Sequence, residues 1–176
     1  MSSGARSGVK GFTLVELMVV MAIFAIVAAI AAPSFRDFTI RRAISAQISD
    51  FASAVRFARS EAVKRGREVS MCPALYINNI APMCNRNTRE WQNGYIVFTG
   101  SLFNKGQYQR AQQGYAAGSR IEANVRDAFR FRGNGVLSAG GPRKFIFSPA
   151  LPPSDPSYKA LTRTMCLSST GVLYSC

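Results

Sequence analysis

Two sets of side chains in this 176-residue chain have types and spacing that could do chemistry. The first is one acid, Glu16, just inside the apolar run "KGFTLVELMVVMAIFAIVAAIAAP" from Lys10 to Pro33. A carboxylate in a membrane segment costs on the order of 2.5–3.5 kcal/mol to insert, so a retained one implies a task. From Phe12 to Ala32 the run holds no cation to offset it. The partner is therefore expected on another molecule, or as a new amine made by cleavage. The second set is four cysteines, Cys72, Cys84, Cys166 and Cys176. None lies in a CxxC spacing, which disfavours a zinc ribbon or a thioredoxin-type site. The even count downstream of an export-like segment reads as two disulfides in an oxidising compartment. The expected pairing is Cys72–Cys84 and Cys166–Cys176, since each closes a short loop at little entropic cost. Four reduced core thiols are the alternative.

Other chemistry is excluded or unsupported. The chain has no histidine, which removes the Ser-His-Asp triad, the Cys-His dyad and most catalytic zinc sites. Acids after the helical region (Glu68, Glu90, Glu122, Asp127, Asp155) show no clustered pair for hydrolysis. There is no Walker or dinucleotide glycine pattern. No enzyme, no metal and no cofactor is expected. The charge is lopsided, 22 Lys+Arg against 9 Asp+Glu, a formal +13. Such a surface favours phosphates, anionic lipid or acidic proteins. The basic residues are dispersed, with no block of five or six, so a basic tail is excluded.

The elements that must position these groups follow from periodicity. Phe12 to Ala32 is 21 residues, roughly 31 Å of helix and about one bilayer core. Arg6 and Lys10 flank one side, which the positive-inside rule makes cytoplasmic. A cleavable secretory signal ending in "AAIAAP" is the competing reading, and Glu16 in the apolar region speaks against it. Pro33 is expected to kink the helix. Beyond it Ile40, Ile44, Ile48, Phe51, Val55, Ala58 and Ala62 recur at steps of three and four, one helical face. Asp37–Arg41 and Glu61–Arg65 are favourable i,i+4 pairs, and Gly66 supplies a stop. Strands are expected at 67–75, 94–100, 120–125, 127–138 and 143–149, with a closing hairpin over 162–176 around Ser169-Thr170-Gly171. Alternation in "AFRFRG" buries Phe129 and Phe131 and exposes Arg130 and Arg132. Segments 76–90, 101–119 and 148–157 read as loops. Trp91 reads as core, and Tyr108 and Tyr115 as more exposed aromatics. The fold class is α+β: one long N-terminal helix packed on an antiparallel β-sheet or β-sandwich-like head.

"KGFTLVELMVVMAIFAIVAAIAAP" closely resembles the N-terminus of type IV prepilins and type II secretion pseudopilins. The resemblance implies a leader at 1–11 cut by a prepilin peptidase between Gly11 and Phe12, and N-methylation of Phe12. It makes Glu16 the acid at the fifth mature position, which pairs with the N-terminal amine of a neighbouring subunit. It makes Pro33 the family's kink. It divides the chain into a leader (1–11), a transmembrane and filament-core helix (12–33), its amphipathic continuation (34–66) and a β-rich pilin head (67–176). "FASAVRFARSEAVKRGREVSMCP", "WQNGYIVFTG" and "FRFRGNGVLSAGGPRKFIFSP" are similar to segments of the GspH/FimT/FimU-type minor pilins, the last to a hairpin in that group. The implied function is a minor type IV pilin: single-pass in the bacterial inner membrane with a periplasmic head, then assembled with other pilins through the helix. A type II secretion pseudopilin is the alternative role. DNA binding for natural transformation is another. The family's Gly-Arg-x-Arg DNA motif falls here on Gly171, Val172, Leu173 and Tyr174, where both arginines are missing. What remains for DNA is a basic surface of Arg126, Arg130, Arg132, Arg143 and Lys144, whose binding would be steeply salt-dependent. A solvated strand face, or contact with acidic neighbouring subunits, explains the same residues. Arg56 and Arg59 on the helix read as solvated or filament-packing residues.

Overall fold

A computed structural model describes residues 12–75, 83–100, 108–115, 119–138, 140 and 143–176, without side chains for 31–33. The leader, and with it Gly11 at the expected cut, lies outside the described residues. One helix, α1 (Leu14–Arg65), leads into the β-rich remainder. By contact density the chain divides into two compact units, Met1–Phe38 and Thr39–Cys176. The second unit therefore takes in most of the helical stretch expected as a separate amphipathic continuation over 34–66.

In the first unit the helix begins at a cap. Thr13 stands in front of Leu14, and its Oγ1 accepts the Glu16 N–H at 3.2 Å. Thr and Glu three apart is the capping-box spacing, and an acid in the first turn suits the positive end of the helix. Every described side chain from Phe12 to Ile30 is exposed. No single helix among the described residues is long and apolar enough to cross a membrane; Leu14–Ile30 and Ser34–Arg65 meet that test only as a pair, by length and composition. The backbone stays helical through Pro33, whose side chain lies outside the described residues.

In the second unit the expected stripe is buried: Ile44, Phe51, Val55, Ala58 and Ala62 are inaccessible, and Ile40 and Ile48 pack at the margin. Glu61 holds Arg65 at 2.7 Å, one turn on; in the first unit Asp37 meets the adjacent Arg36 at 3.4 Å. The helix ends as its sequence indicates. Gly66 takes φ +60°, its N–H donates to the Val63 carbonyl, and the Arg67 N–H donates to that of Ala62. This is a Schellman closure, which needs a residue tolerant of positive φ.

Two antiparallel sheets receive the stripe. The first orders β2 (Met83–Cys84), β1 (Val69–Leu75), β3 (Gly94–Thr99) and β4 (Tyr108–Gln113), with β6 (Phe129–Phe131) also on β1. The second orders β5 (Ser119–Ala123), β7 (Lys144–Pro149), β8 (Arg163–Leu167) and β9 (Leu173–Ser175). Backbone hydrogen bonds join them: the Trp91 N–H donates to Ile121, and the Leu137 N–H to Ser169. Three expectations are corrected. Part of the 101–119 loop is strand β4 and part of 76–90 is β2; both are short or polar, and cross-strand pairing rather than apolar alternation holds them. A short helix α2 (Ser157–Leu161) follows the proline-rich loop. And 129–131 and 144–149 do not form one hairpin, because β6 pairs with β1 and β7 with β5 and β8.

Phe51 is the point where helix and both sheets meet. Its ring lies 5.7 Å from Trp91 and 5.6 Å from Tyr95 on the first-sheet side. It lies 4.7 Å from Phe145 and 5.9 Å from Phe147 of the second sheet. Most of these pairs are edge-to-face, the arrangement aromatic quadrupoles favour. Trp91 is fully buried and stacks on Phe129 at 5.7 Å. Truncating Phe51→Ala should cost about 3–5 kcal/mol of stability in chemical denaturation of the disulfide-bonded chain. A loss under about 1 kcal/mol would contradict this packing.

Candidate functional site

Three surfaces hold the residues that could carry function. On the first, the apolar helix start, Phe12 and Leu14 to Ile30 present large side chains to the outside on every face, with Glu16 in the first turn and Thr13 as its cap. A helix apolar all round is a segment that lipid or other protein must cover. The capping arrangement adds a local reason for Glu16 that its isolation in the run does not reveal, since Thr13 is legible as a cap only once the helix start is placed.

The second surface carries the disulfides. Cys72 is joined to Cys84, linking β1 to β2, and Cys166 to Cys176, linking β8 to the chain end beyond β9. The first bridge sits in a separate small core on the far face of the first sheet, with Ala74, Ile96, Phe98 and Ala128. Each closes a loop between neighbouring antiparallel strands and fixes a β-hairpin edge.

The third is the basic surface. Arg126 is exposed in the bend after β5, and the Asn124 Oδ1 beside it accepts the backbone N–H of both Arg143 (3.1 Å) and Lys144 (3.2 Å). That brings Arg126, Arg143 and Lys144 into one neighbourhood on the second sheet. Arg130 and Arg132 belong to the first sheet, on and just after β6. They are not on a hairpin shared with Arg143 and Lys144, because the two strands enter different sheets. An acid also lies in this region. Asp127 accepts from the Arg86 Nε at 2.7 Å and from the Ala128 N–H at 2.6 Å. Burial alone raises the Asp127 pKa; the Arg86 hydrogen bond, the Ala128 N–H and the charges of Arg86 and Arg130 outweigh it and hold the carboxyl below its ordinary range.

The aromatic candidates separate. Tyr108 is exposed on β4, whereas Tyr115 packs against the main core with its hydroxyl buried, and burial pushes its pKa up. Among the described residues no group of three His, Cys, Asp or Glu could hold a metal ion.

A capped apolar helix leading into a two-sheet, disulfide-bridged β head defines a pilin-type subunit. Residues 47–171 match the family model of the type II transport protein GspH, and residues 6–32 match the prokaryotic N-terminal methylation motif. The chain belongs to the GspH family. A fimbrial protein of Pseudomonas aeruginosa is 45% identical over 60 residues, 34% of this chain and 38% of that protein. The type IV major pilin protein PilE1 of Neisseria gonorrhoeae is 54% identical over 39 residues, 22% of this chain and 24% of the relative. These matches span well under half the length of those relatives. In fold, the chain is similar to the crystal structure of the type IV minor pilin FimU of P. aeruginosa, with a TM-score of 0.56 at 18% identity over 79% of this chain and 92% of that one. Pilins and pseudopilins are structural subunits, not enzymes, and their N-terminal motif is one of inner-membrane anchoring followed by assembly.

A depressed carboxyl pKa contributes stability that is present above the unfolded value of 3.8 and lost as pH falls through the folded one. Asp127 should therefore titrate below that value by NMR, and Arg86→Gln should move the titration upward and weaken the acid-dependent loss of stability. An unchanged Asp127 titration in Arg86→Gln would show that Arg86 does not hold the carboxylate.

Proposed function

We propose that this chain is a minor structural subunit of a type IV pilus, cut between Gly11 and Phe12 by a prepilin peptidase and methylated at Phe12. The observation that supports it best is the uniformly exposed apolar segment from Phe12 to Ile30, inside a match to the N-terminal methylation motif. Such a surface has no cover within the described chain, so it needs a bilayer first and neighbouring helices afterwards. The segment crosses the inner membrane once, with the cystine-bearing head in the periplasm. In the filament, the Phe12 amine of one subunit meets Glu16 of another. The attraction between opposite charges strengthens out of water and offsets part of their desolvation cost, which an unpaired carboxylate there would bear alone. The capping role of Thr13 keeps Glu16 in the first turn, where a neighbour's N-terminus can reach it.

The name of the matching family favours a second role with the same geometry, a minor pseudopilin of type II secretion. Deleting the protein separates the two: loss of surface filaments supports the first, and loss of protein secretion with filaments intact supports the second.

Mass spectrometry of the mature protein should find methylated Phe12 at the N-terminus. Glu16→Ala should still insert and be cut, and its recovery in sheared filaments should fall about tenfold or more. A terminus after Ala32 would refute the processing, and incorporation of Glu16→Ala at the normal level would refute the charge pairing.

A further inference from the structure

The outward face of α1 near its end carries a groove that the role above does not use. Arg56, Arg59, Ser60, Val63 and Lys64 line a shallow depression of about 430 Å³. Their spacing places them on one side of the helix, opposite the buried stripe. Two tight turns close on the same place. In the turn after β6, Gly135 has φ +76°, and a Cβ there would come within 2.8 Å of Val63 and 3.3 Å of the Arg59 Nε. In the β8–β9 turn, Gly171 has φ +75°, and a Cβ would stand 3.2 Å from the Arg59 Cδ and 2.7 Å from the Phe131 ring. The two turns are bonded to each other through Leu137 and Ser169. The Arg59 stem is thus seated against two glycines.

The cations there are poorly matched within the chain. Lys64 shares Glu61 at 4.0 Å, but Glu61 is taken more closely by Arg65 at 2.7 Å. Arg56 and Arg59 have no carboxylate partner among the described residues. Beside them three valines are uncovered: Val63 and Val172 are 54% exposed and Val136 39%. A seated arginine, a second open arginine and exposed valines form a surface for a protein segment with acidic and apolar side chains.

We propose that this groove docks an acidic segment of a different filament subunit. The proposal rests on the reading of the chain as a pilus subunit and adds the kind of neighbour it accepts. Charge selects the neighbour. Loss of Arg6 and Lys10 with the leader lowers the chain from +13 only to +11, so a second copy brings a strong excess of the same sign. Nucleic acid fits less well, because strong phosphate binding needs a row of cations, and here valines interrupt it. The groove thereby makes the subunit a heterotypic joint, favouring one neighbour of opposite charge over self-addition.

The test places a photo-crosslinking residue at Val63 of the full chain in cells that make the filament. It is read in whole cells and in sheared filaments. The expected product joins this chain to another pilin subunit at a peptide with at least one Asp or Glu. Arg56→Glu with Arg59→Glu should lower its yield about tenfold or more, with both disulfides still formed. The milder Arg56→Gln, Arg59→Gln pair should lower it in the same direction and covers the case in which charge reversal impairs folding. A crosslink to a second copy, to DNA or to a segment without acids overturns the proposal. So does the absence of any crosslink, or a yield insensitive to both pairs. A chain that reaches filaments yet gives no such crosslink removes the groove alone; absence from filaments removes the subunit role.

Discussion

The structure depends on one ring. Phe51 of α1 touches aromatic rings of both sheets, with Trp91 and Tyr95 on one side and Phe145 and Phe147 on the other. Each sheet alone has few strands and one long uncovered face, which would expose Phe, Ile and Val to water. Laid under the same helical stripe, the two share a core, and two backbone links, Trp91 to Ile121 and Leu137 to Ser169, hold their edges together. Further along the stripe Ala54, Ala58 and Ala62 are fully buried, small side chains in the shared core. At its end Gly66 and Gly133 nearly touch, since a Cβ on Gly133 would lie 2.5 Å from the Gly66 carbonyl carbon. Larger residues at these positions would lift the helix away from the sheets.

That constraint divides the helix by function. The part within Thr39–Cys176 satisfies its apolar face inside the chain. The part within Met1–Phe38 does not, and its apolar residues face outward on all sides. The same secondary structure thus serves two solvents. One part is a core helix with a stripe. The other has no stripe because its apolar side chains are exposed on every face. Glu16 belongs with the second part, and Thr13 caps its backbone N–H at the helix start.

Much of this was legible in the residues. The steps from Ile40 to Ala62 locate the buried stripe, because helical periodicity survives wherever one face is covered. Gly66 marks the helix end, and Ser169-Thr170-Gly171 the last hairpin, because only certain residues tolerate those turns. Short-loop closure anticipated the Cys72–Cys84 and Cys166–Cys176 pairs seen in the structure. What stayed hidden depends on pairing between distant strands. β4, with the sequence YQRAQQ, has no apolar alternation, and hydrogen bonding to β3 alone makes it a strand. The separation of β6 from β7 is a choice of partner that neither strand's composition encodes, so the five basic residues looked more clustered than they are. Tyr115 looked exposed because its neighbours are polar, yet its ring finds the core. The seating of Arg59 was invisible for the same reason: the glycines that close on it, Gly135 and Gly171, are far away in sequence.

Phe51 and its stripe make residues from Thr39 onward a self-sufficient folding unit, while the preceding segment depends on cover from outside. The most direct measurement is chemical denaturation of a chain beginning at Thr39, with both disulfides formed and no detergent present. A soluble monomer with a single cooperative transition, seen alike by far-UV circular dichroism and by Trp91 fluorescence, is the predicted result. A non-cooperative or aggregating product would contradict it, and would mean that the exposed segment before Thr39 is needed for the fold of the head.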